Sequence, residues 1–76
     1  MSKVNVEQFI VGLVKELEIQ ESISGETRLM NIKEYDSMGK INASLYIENA
    51  FGFQIDYEVL DRDQTVADLW KYCVSK

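Results

Sequence analysis

The 76-residue chain has no histidine, no proline and a single cysteine, Cys73. Histidine is the usual proton acceptor of a catalytic triad and a common metal ligand, so its absence removes the simplest forms of both kinds of site. One cysteine cannot form an internal disulfide or a cysteine–histidine metal cluster. Because proline most often ends helices, its absence favours uninterrupted ones.

Basic residues are also scarce, since Lys and Arg number 8 against 13 Asp and Glu, which gives a formal net charge of −5. Proteins that bind nucleic acid carry basic patches that displace counterions from phosphates, so this balance argues against such a partner. No apolar run approaches the length that spans a bilayer, and the N-terminus lacks the hydrophobic region of a signal peptide. We therefore predict a cytoplasmic protein with no membrane span.

No repeat, low-complexity tract or linker divides residues 1–76, so we expect a single domain. The chain is 46% hydrophobic, enough for a modest core, although a chain this short buries only about 60% of its unfolded surface. No segment alternates with the period of two that is typical of strands. The predicted fold class is all-α, with three longer helices, one short third helix, and a long loop between the first and second helices.

Two helices show a single apolar stripe with spacings of three and four residues. In the first helix the stripe consists of Val6, Phe9, Ile10, Leu13, Val14 and Leu17. In the last helix it consists of Val66, Leu69, Trp70, Cys73 and Val74. Asn5 with Gln8, and Thr65 with Asp68, have the spacing of capping boxes. We expect the first helix over residues 6 to 17 or 18, and Cys73 as a buried structural thiol.

The middle of the chain contains turn-forming residues over 19–35, then a second helix from Asp36 or Ser37 to Ala50 or Phe51. We expect the loop to be anchored by its apolar residues, Ile23, Leu29, Met30 and Ile32. Asp36 is the predicted N-cap of the second helix, and Gly52 its C-terminal cap. A short third helix is predicted within residues 56–60.

The second helix is apolar on two arcs. At 100° per residue, Met38, Ile41 and Leu45 share one arc, and a different arc carries Ala43, Ile47, Ala50 and Phe51. An ordinary surface helix has one apolar stripe. The second helix is therefore either central to the bundle or keeps one arc for a partner or ligand.

Ser37 is the main candidate for a functional residue. It follows the capping Asp36 at a helix start, where backbone N–H groups lack helical partners. Helix starts often contain such residues for structural reasons alone. A hydrolase would need a base, and with no histidine only a Ser–Lys pair with Lys40 remains, outside the strand–turn–helix context of a nucleophile elbow. A well-presented serine without a base is better interpreted as a place where another enzyme attaches a group.

Other candidate sites have plainer interpretations. The acidic residues of the C-terminal half, Glu48, Asp56, Glu58, Asp61, Asp63 and Asp68, are best explained as a solvated face. Residues 61–64 lack the glycine and distal glutamate of a calcium loop. We expect Trp70, Phe51 and Phe53 in the core. The four tyrosines are expected at its rim with their hydroxyls in water, namely Tyr35, Tyr46, Tyr57 and Tyr72.

Taken together, these residues resemble the acyl carrier protein family. That family has an Asp-Ser-Leu motif at the start of its second helix, which Asp36-Ser37-Met38 matches with one conservative change. Five further residues agree in register: Ile41, Phe51, Ile55, Thr65 and Val66. The resemblance covers roughly residues 35–74 and is one of fold only before that.

The resemblance implies a non-catalytic carrier. A phosphopantetheinyl transferase would move 4′-phosphopantetheine from coenzyme A to Ser37, and the thiol of this arm would carry a thioester. A ligase that loads an acyl or aminoacyl group, and a downstream transferase or synthase, would be further partners of a monomeric domain. The expected partner-binding residues lie beside Ser37 and along the second helix: Met38, Lys40, Ile41, Leu45 and Glu48. No metal site is expected in the carrier itself.

The sequence also departs from the family pattern. Typical fatty-acid carriers have several acids along the second helix, whereas here only Glu48 is clearly acidic and Lys40 lies in the first turns. Ser44 stands where a valine usually lines the acyl pocket. Met38-Gly39 is similar to D-alanyl carrier proteins. These differences favour a specialised acyl or aminoacyl carrier, and the alternative is an unmodified helical interaction module with the same fold.

Overall fold

A computed structural model describes residues 4–76 of the chain. In that part the fold is all-α, with no strand and four α-helices: α1 (Val6–Leu17), α2 (Ser37–Phe51), α3 (Tyr57–Leu60) and α4 (Val66–Val74). One 3₁₀ turn, Leu29–Asn31, interrupts the long loop between α1 and α2. The predicted class, the four helices and the long first loop are therefore confirmed.

The caps explain where α1 and α4 begin. The Asn5 side chain accepts from the Gln8 N–H, and the Gln8 side chain accepts from the Asn5 N–H, which is a complete capping box. Thr65 and Asp68 form the same reciprocal pair at the start of α4. Each pair satisfies backbone N–H groups that have no helical partner. Both boxes agree with the prediction from sequence.

Helix α2 lies at the centre of the bundle and contacts α1, α3 and α4. Its inward side chains, Ala43 and Ile47, are fully buried. The rest of the buried core comes from the other helices and the loops: Phe9, Leu13, Leu17, Ile19, Leu29, Ile32, Tyr35, Ile55, Val59, Leu60, Val66, Leu69 and Cys73. Burial raises the pKa of the Cys73 thiol to about 12, as suits a structural cysteine.

The long loop is tied to the start of α4 by backbone hydrogen bonds. The Leu29 N–H donates to the Gln64 carbonyl over 2.9 Å, and the Val66 N–H donates to the Thr27 carbonyl over 2.9 Å. Leu29 is fully buried and Ile32 nearly so, as predicted. Met30 was expected to anchor the loop, but this expectation is wrong, because its side chain is 61% exposed.

Aromatic side chains pack the C-terminal half of α2 and the residues after it against α1 and α4. Tyr46 lies against Gly12 of α1 so closely that a Cβ there would overlap the ring. Its ring also packs 5.8 Å from that of Phe9, centroid to centroid. After the left-handed Gly52 (φ 82°) the chain reverses, and Phe53 packs against Tyr72 of α4. Gly52 thus ends α2 as predicted.

Candidate modification site at the start of α2

Ser37 is the first residue of α2 and its side chain is exposed. The residue before it, Asp36, has an extended backbone and caps the helix. Its carboxylate Oδ1 accepts from the Gly39 N–H over 2.9 Å, and its carbonyl accepts from the Lys40 N–H over 2.8 Å. These two bonds fix the direction in which α2 starts, and they confirm Asp36 as the N-cap.

The hydrogen bonds of this turn leave the Ser37 and Met38 N–H groups without a partner within residues 4–76. Such groups give the start of a helix a partial positive charge, which favours an anion beside it. A phosphate ester on Ser37 would therefore lie at a favourable end of α2. The residues present fit a phosphate-linked group on the Ser37 hydroxyl.

Gly39 allows the preceding loop to lie against the helix. It is buried, and a Cβ at this position would overlap the backbone carbonyl of Glu34. Backbone cannot move aside as a flexible side chain can, so only glycine fits here without a shift of the chain. The Glu34 side chain in turn accepts from the Gln20 N–H over 3.2 Å. Gly39 thus helps to hold the segment that leads into Ser37.

Lys40, one of the expected partner-binding residues, forms an ion pair within the domain. Its ammonium donates to the Asp61 carboxylate over 2.6 Å, and its side chain is only 17% exposed. The same ammonium lies 5.8 Å from the ring centroids of both Tyr35 and Tyr57. The hydrogen bond to Asp61 raises the pKa of Lys40. Lys40 therefore joins the first turn of α2 to the end of α3.

Tyr35 makes a second link between the same two places. Its hydroxyl donates to the Leu60 carbonyl over 2.7 Å, and the residue is 6% exposed. The prediction of a wet hydroxyl at the rim is therefore wrong for Tyr35. Burial, with the charge of Asp61 nearby, raises the pKa of the Tyr35 phenol. With the Lys40–Asp61 pair, this bond makes the segment around Ser37 part of a corner that joins α2 to α3.

The outward arc of α2 is apolar and exposed, although the helix is also central to the bundle. Met38 is 65% exposed, Ile41 48% and Leu45 54%. Glu48, one turn further along, is exposed as well. We call the surface formed by Met38, Ile41, Leu45 and Glu48 the outer face. Packing within the domain does not explain why three large apolar side chains lie together in contact with water.

Beside α2, a recess of about 160 Å³ is lined by Ser44, Glu48, Gln54 and Ile55. The Ser44 hydroxyl donates to the Ile41 carbonyl over 2.7 Å, which leaves its oxygen able to accept. Three of the four lining side chains are polar. The recess lies on the side of α2 that faces the chain segment before α3.

Sequence analysis did not predict the contacts that two residues make with Lys40 at this corner. Tyr57 is 48% exposed beside the Lys40 ammonium, and Asp61 holds that ammonium from 21 positions away in the chain. A pair so distant leaves no periodic signal in one sequence. Only the position of α3 against α2 brings these groups together.

Comparisons of the chain with protein-family models, with curated proteins and with solved structures found no match. Within residues 4–76, no group of three or more His, Cys, Asp or Glu side chains is placed to hold a metal ion. None of the helices in the described part of the chain combines the length and apolarity needed to cross a membrane. Any assignment of function therefore depends on the geometry around Ser37.

Proposed function

We propose that this chain is a carrier domain whose Ser37 receives 4′-phosphopantetheine from coenzyme A. The observation that supports this most is that Ser37 is exposed at the first position of a capped helix. A serine nucleophile needs a neighbouring base. The nearest amine in sequence, Lys40, is hydrogen-bonded to Asp61 and its pKa is raised, so it stays protonated. Ser37 is thus suited to be modified and not to catalyse.

The chemistry of attachment is a phosphoryl-group transfer to the Ser37 oxygen. A new P–O bond forms at Oγ, the pyrophosphate bond of coenzyme A breaks, and adenosine 3′,5′-bisphosphate leaves. The serine proton passes to a base of the transferase, since the carrier offers none. The attached arm then supplies a thiol that holds an acyl or aminoacyl group as a thioester.

The four-helix arrangement supports the same proposal. A long first loop, a central α2 and a short α3 in contact with α2 are the features that the resemblance to carrier proteins leads us to expect, and they support the proposal. The bonds of Lys40 with Asp61 and of Tyr35 with Leu60 join the segment around Ser37 to α3. A fixed attachment point with a flexible arm gives the bound thioester a high local concentration at each enzyme that binds the carrier.

The outer face is the proposed binding surface for those enzymes. Met38, Ile41 and Leu45 start beside Ser37 and continue along α2, so a protein that reaches Ser37 meets them first. Apolar contacts of moderate area suit a partner that must dissociate after each transfer. The proposed partners are the phosphopantetheinyl transferase, a loading ligase and a downstream transferase or synthase.

A second candidate function uses the same surface without modification. An interaction module that binds one partner through the outer face would also expose Met38, Ile41 and Leu45. It would give no role to the Ser37 hydroxyl. The two functions therefore differ in whether Ser37 is needed.

The test is incubation of the purified chain with coenzyme A, Mg²⁺ and a broad-specificity phosphopantetheinyl transferase, followed by intact mass. We expect one pantetheinyl adduct on the wild type, none on Ser37→Ala, and one on Ser22→Ala, which removes another exposed serine. Absence of an adduct with several transferases, while a partner still binds the outer face, would favour the interaction module.

A further inference from the structure

The recess beside α2 lies within reach of a group attached to Ser37. Residues separated by four, seven and eleven positions share one side of a helix, so Ser37, Ile41, Ser44 and Glu48 form a single line along α2. At 1.5 Å per residue, Ser44 and Glu48 lie roughly 10 to 17 Å from Ser37 along the helix axis. An arm laid over Ile41 therefore ends at the recess.

The lining of the recess is unsuited to a long alkyl chain. Its polar groups are the Ser44 hydroxyl, the Glu48 carboxylate and the Gln54 amide, and Ile55 is its only apolar side chain. The α2 residues on the core side of this line, Ala43 and Ile47, are fully buried against their neighbours. Covering a carboxylate with hydrocarbon removes water from a charge without replacing its hydrogen bonds, which is unfavourable.

The charge of the recess points to a different occupant. The ion pairs within residues 4–76 are Arg28 with Asp63 and Lys40 with Asp61. Glu48 takes part in neither of them. An ammonium group close to Glu48 would gain a charge-assisted hydrogen bond, and the Gln54 amide oxygen and Ser44 oxygen could accept as well. A volume of about 160 Å³ holds only a small group.

We infer that this recess binds a short acyl group that carries an ammonium, as an aminoacyl thioester does, and that it does not enclose a long alkyl chain. The inference rests on the proposed function, because it requires an arm on Ser37. It assigns the cargo class from the polar residues Ser44, Glu48 and Gln54. The cargo remains on the surface of the domain, where the next enzyme can take it.

The experiment compares three thioesters on the same arm. The transferase loads Ser37 with acetyl-, glycyl- or octanoyl-phosphopantetheine from the matching coenzyme A thioester, and intact mass verifies each adduct. Acetyl and glycyl differ only by the ammonium. We expect the backbone amide resonances of Ser44, Glu48 and Gln54 to shift in the glycyl form relative to the acetyl form. Hydroxylamine should cleave the octanoyl thioester as fast as it cleaves free octanoyl-pantetheine.

Matched variants separate the recess from general electrostatics. Glu48→Gln should abolish the difference between glycyl and acetyl forms, whereas Glu21→Gln, at an exposed loop position, should leave it unchanged. Identical spectra for the two forms, or an octanoyl thioester cleaved severalfold more slowly with resonance shifts at Ala43 and Ile47, would overturn the inference while the adduct supports the carrier function. Failure to load Ser37 at all would overturn both.

Discussion

Helices α2 and α4 contain similar numbers of large apolar residues but place them differently. In α4 the stripe of Val66, Leu69 and Cys73 is buried, which is the usual reason for apolar residues in a helix. In α2 the residues Met38, Ile41 and Leu45 are about half exposed or more.

Under the proposed function, these two sets of apolar residues have different roles. The α4 stripe stabilises the fold, because the removal of apolar surface from water is the main driving force of folding. The outer face of α2 contributes little to that, and it begins next to an exposed serine. We therefore propose that this face binds a partner. The predictions below test this division.

The largest effect is expected in α4. Leu69 is fully buried, so Leu69→Ala should lower the free energy of unfolding by about 2–5 kcal/mol, through lost burial and the cavity left behind. Leu45→Ala, the matched change on the outer face, should cost less than about 0.5 kcal/mol, as exposed substitutions do. Urea unfolding measures both. Equal losses would end the distinction between the two helices.

A smaller effect is expected at Gly39, within α2 but on its buried side. Gly39→Ala places a methyl group against the Glu34 carbonyl, so we expect a loss of about 1–3 kcal/mol, as in other overpacked sites. The control is Gly25→Ala, where a Cβ would make an ordinary 3.4 Å contact with the Ala67 side chain. Thermal unfolding compares the two. A Gly39→Ala protein as stable as wild type would mean that the loop around Glu34 can shift at little cost in free energy.

The corner between α2 and α3 predicts a still smaller loss. Lys40→Glu replaces an attraction to Asp61 by a repulsion, so we expect destabilisation of about 1 kcal/mol, near the upper range for partly exposed pairs. Lys33→Glu makes the same change of charge at an exposed loop position and should have almost no effect on unfolding. If both variants change only the rates with a loading enzyme, the ion pair is not structural.

The last effect concerns Cys73; it is absent at neutral pH and appears only at high pH. Its pKa is raised from 9.0 to about 12 in the folded chain, so the unfolded chain loses the thiol proton at a lower pH than the folded chain does. The resulting stability is fully present below pH 9.0 and is lost as pH rises towards 12. The free energy of unfolding, measured with urea from pH 7 to 11, should therefore fall more steeply with pH for wild type than for Cys73→Ala. Parallel curves for the two proteins would contradict the burial of this thiol.

Much of the fold could be predicted from local patterns. The capping pairs Asn5–Gln8 and Thr65–Asp68, the N-cap Asp36 and the terminating Gly52 each act within a few residues, so a single sequence contains their full signal. The two arcs of α2 followed from helical geometry in the same way. These elements were predicted to within a residue or two.

What could not be predicted depends on contacts between distant segments. The burial of Tyr35, the pairing of Lys40 with Asp61 and the exposure of Met30 follow from how α3 and the long loop pack. No spacing rule relates residues 21 or 25 positions apart. The candidate serine was found from sequence because helix caps are local, whereas the corner that holds it was not.

The most direct test of the carrier proposal is to locate the adduct after treatment with coenzyme A and transferase. Trypsin cuts after Lys33 and Lys40 and so releases residues 34–40, which contain Ser37 as their only serine. Fragmentation of this peptide in a mass spectrometer identifies the modified residue. We predict the pantetheinyl group entirely on Ser37. An adduct on any other residue, or an unmodified peptide after treatment with several transferases, would contradict the proposal.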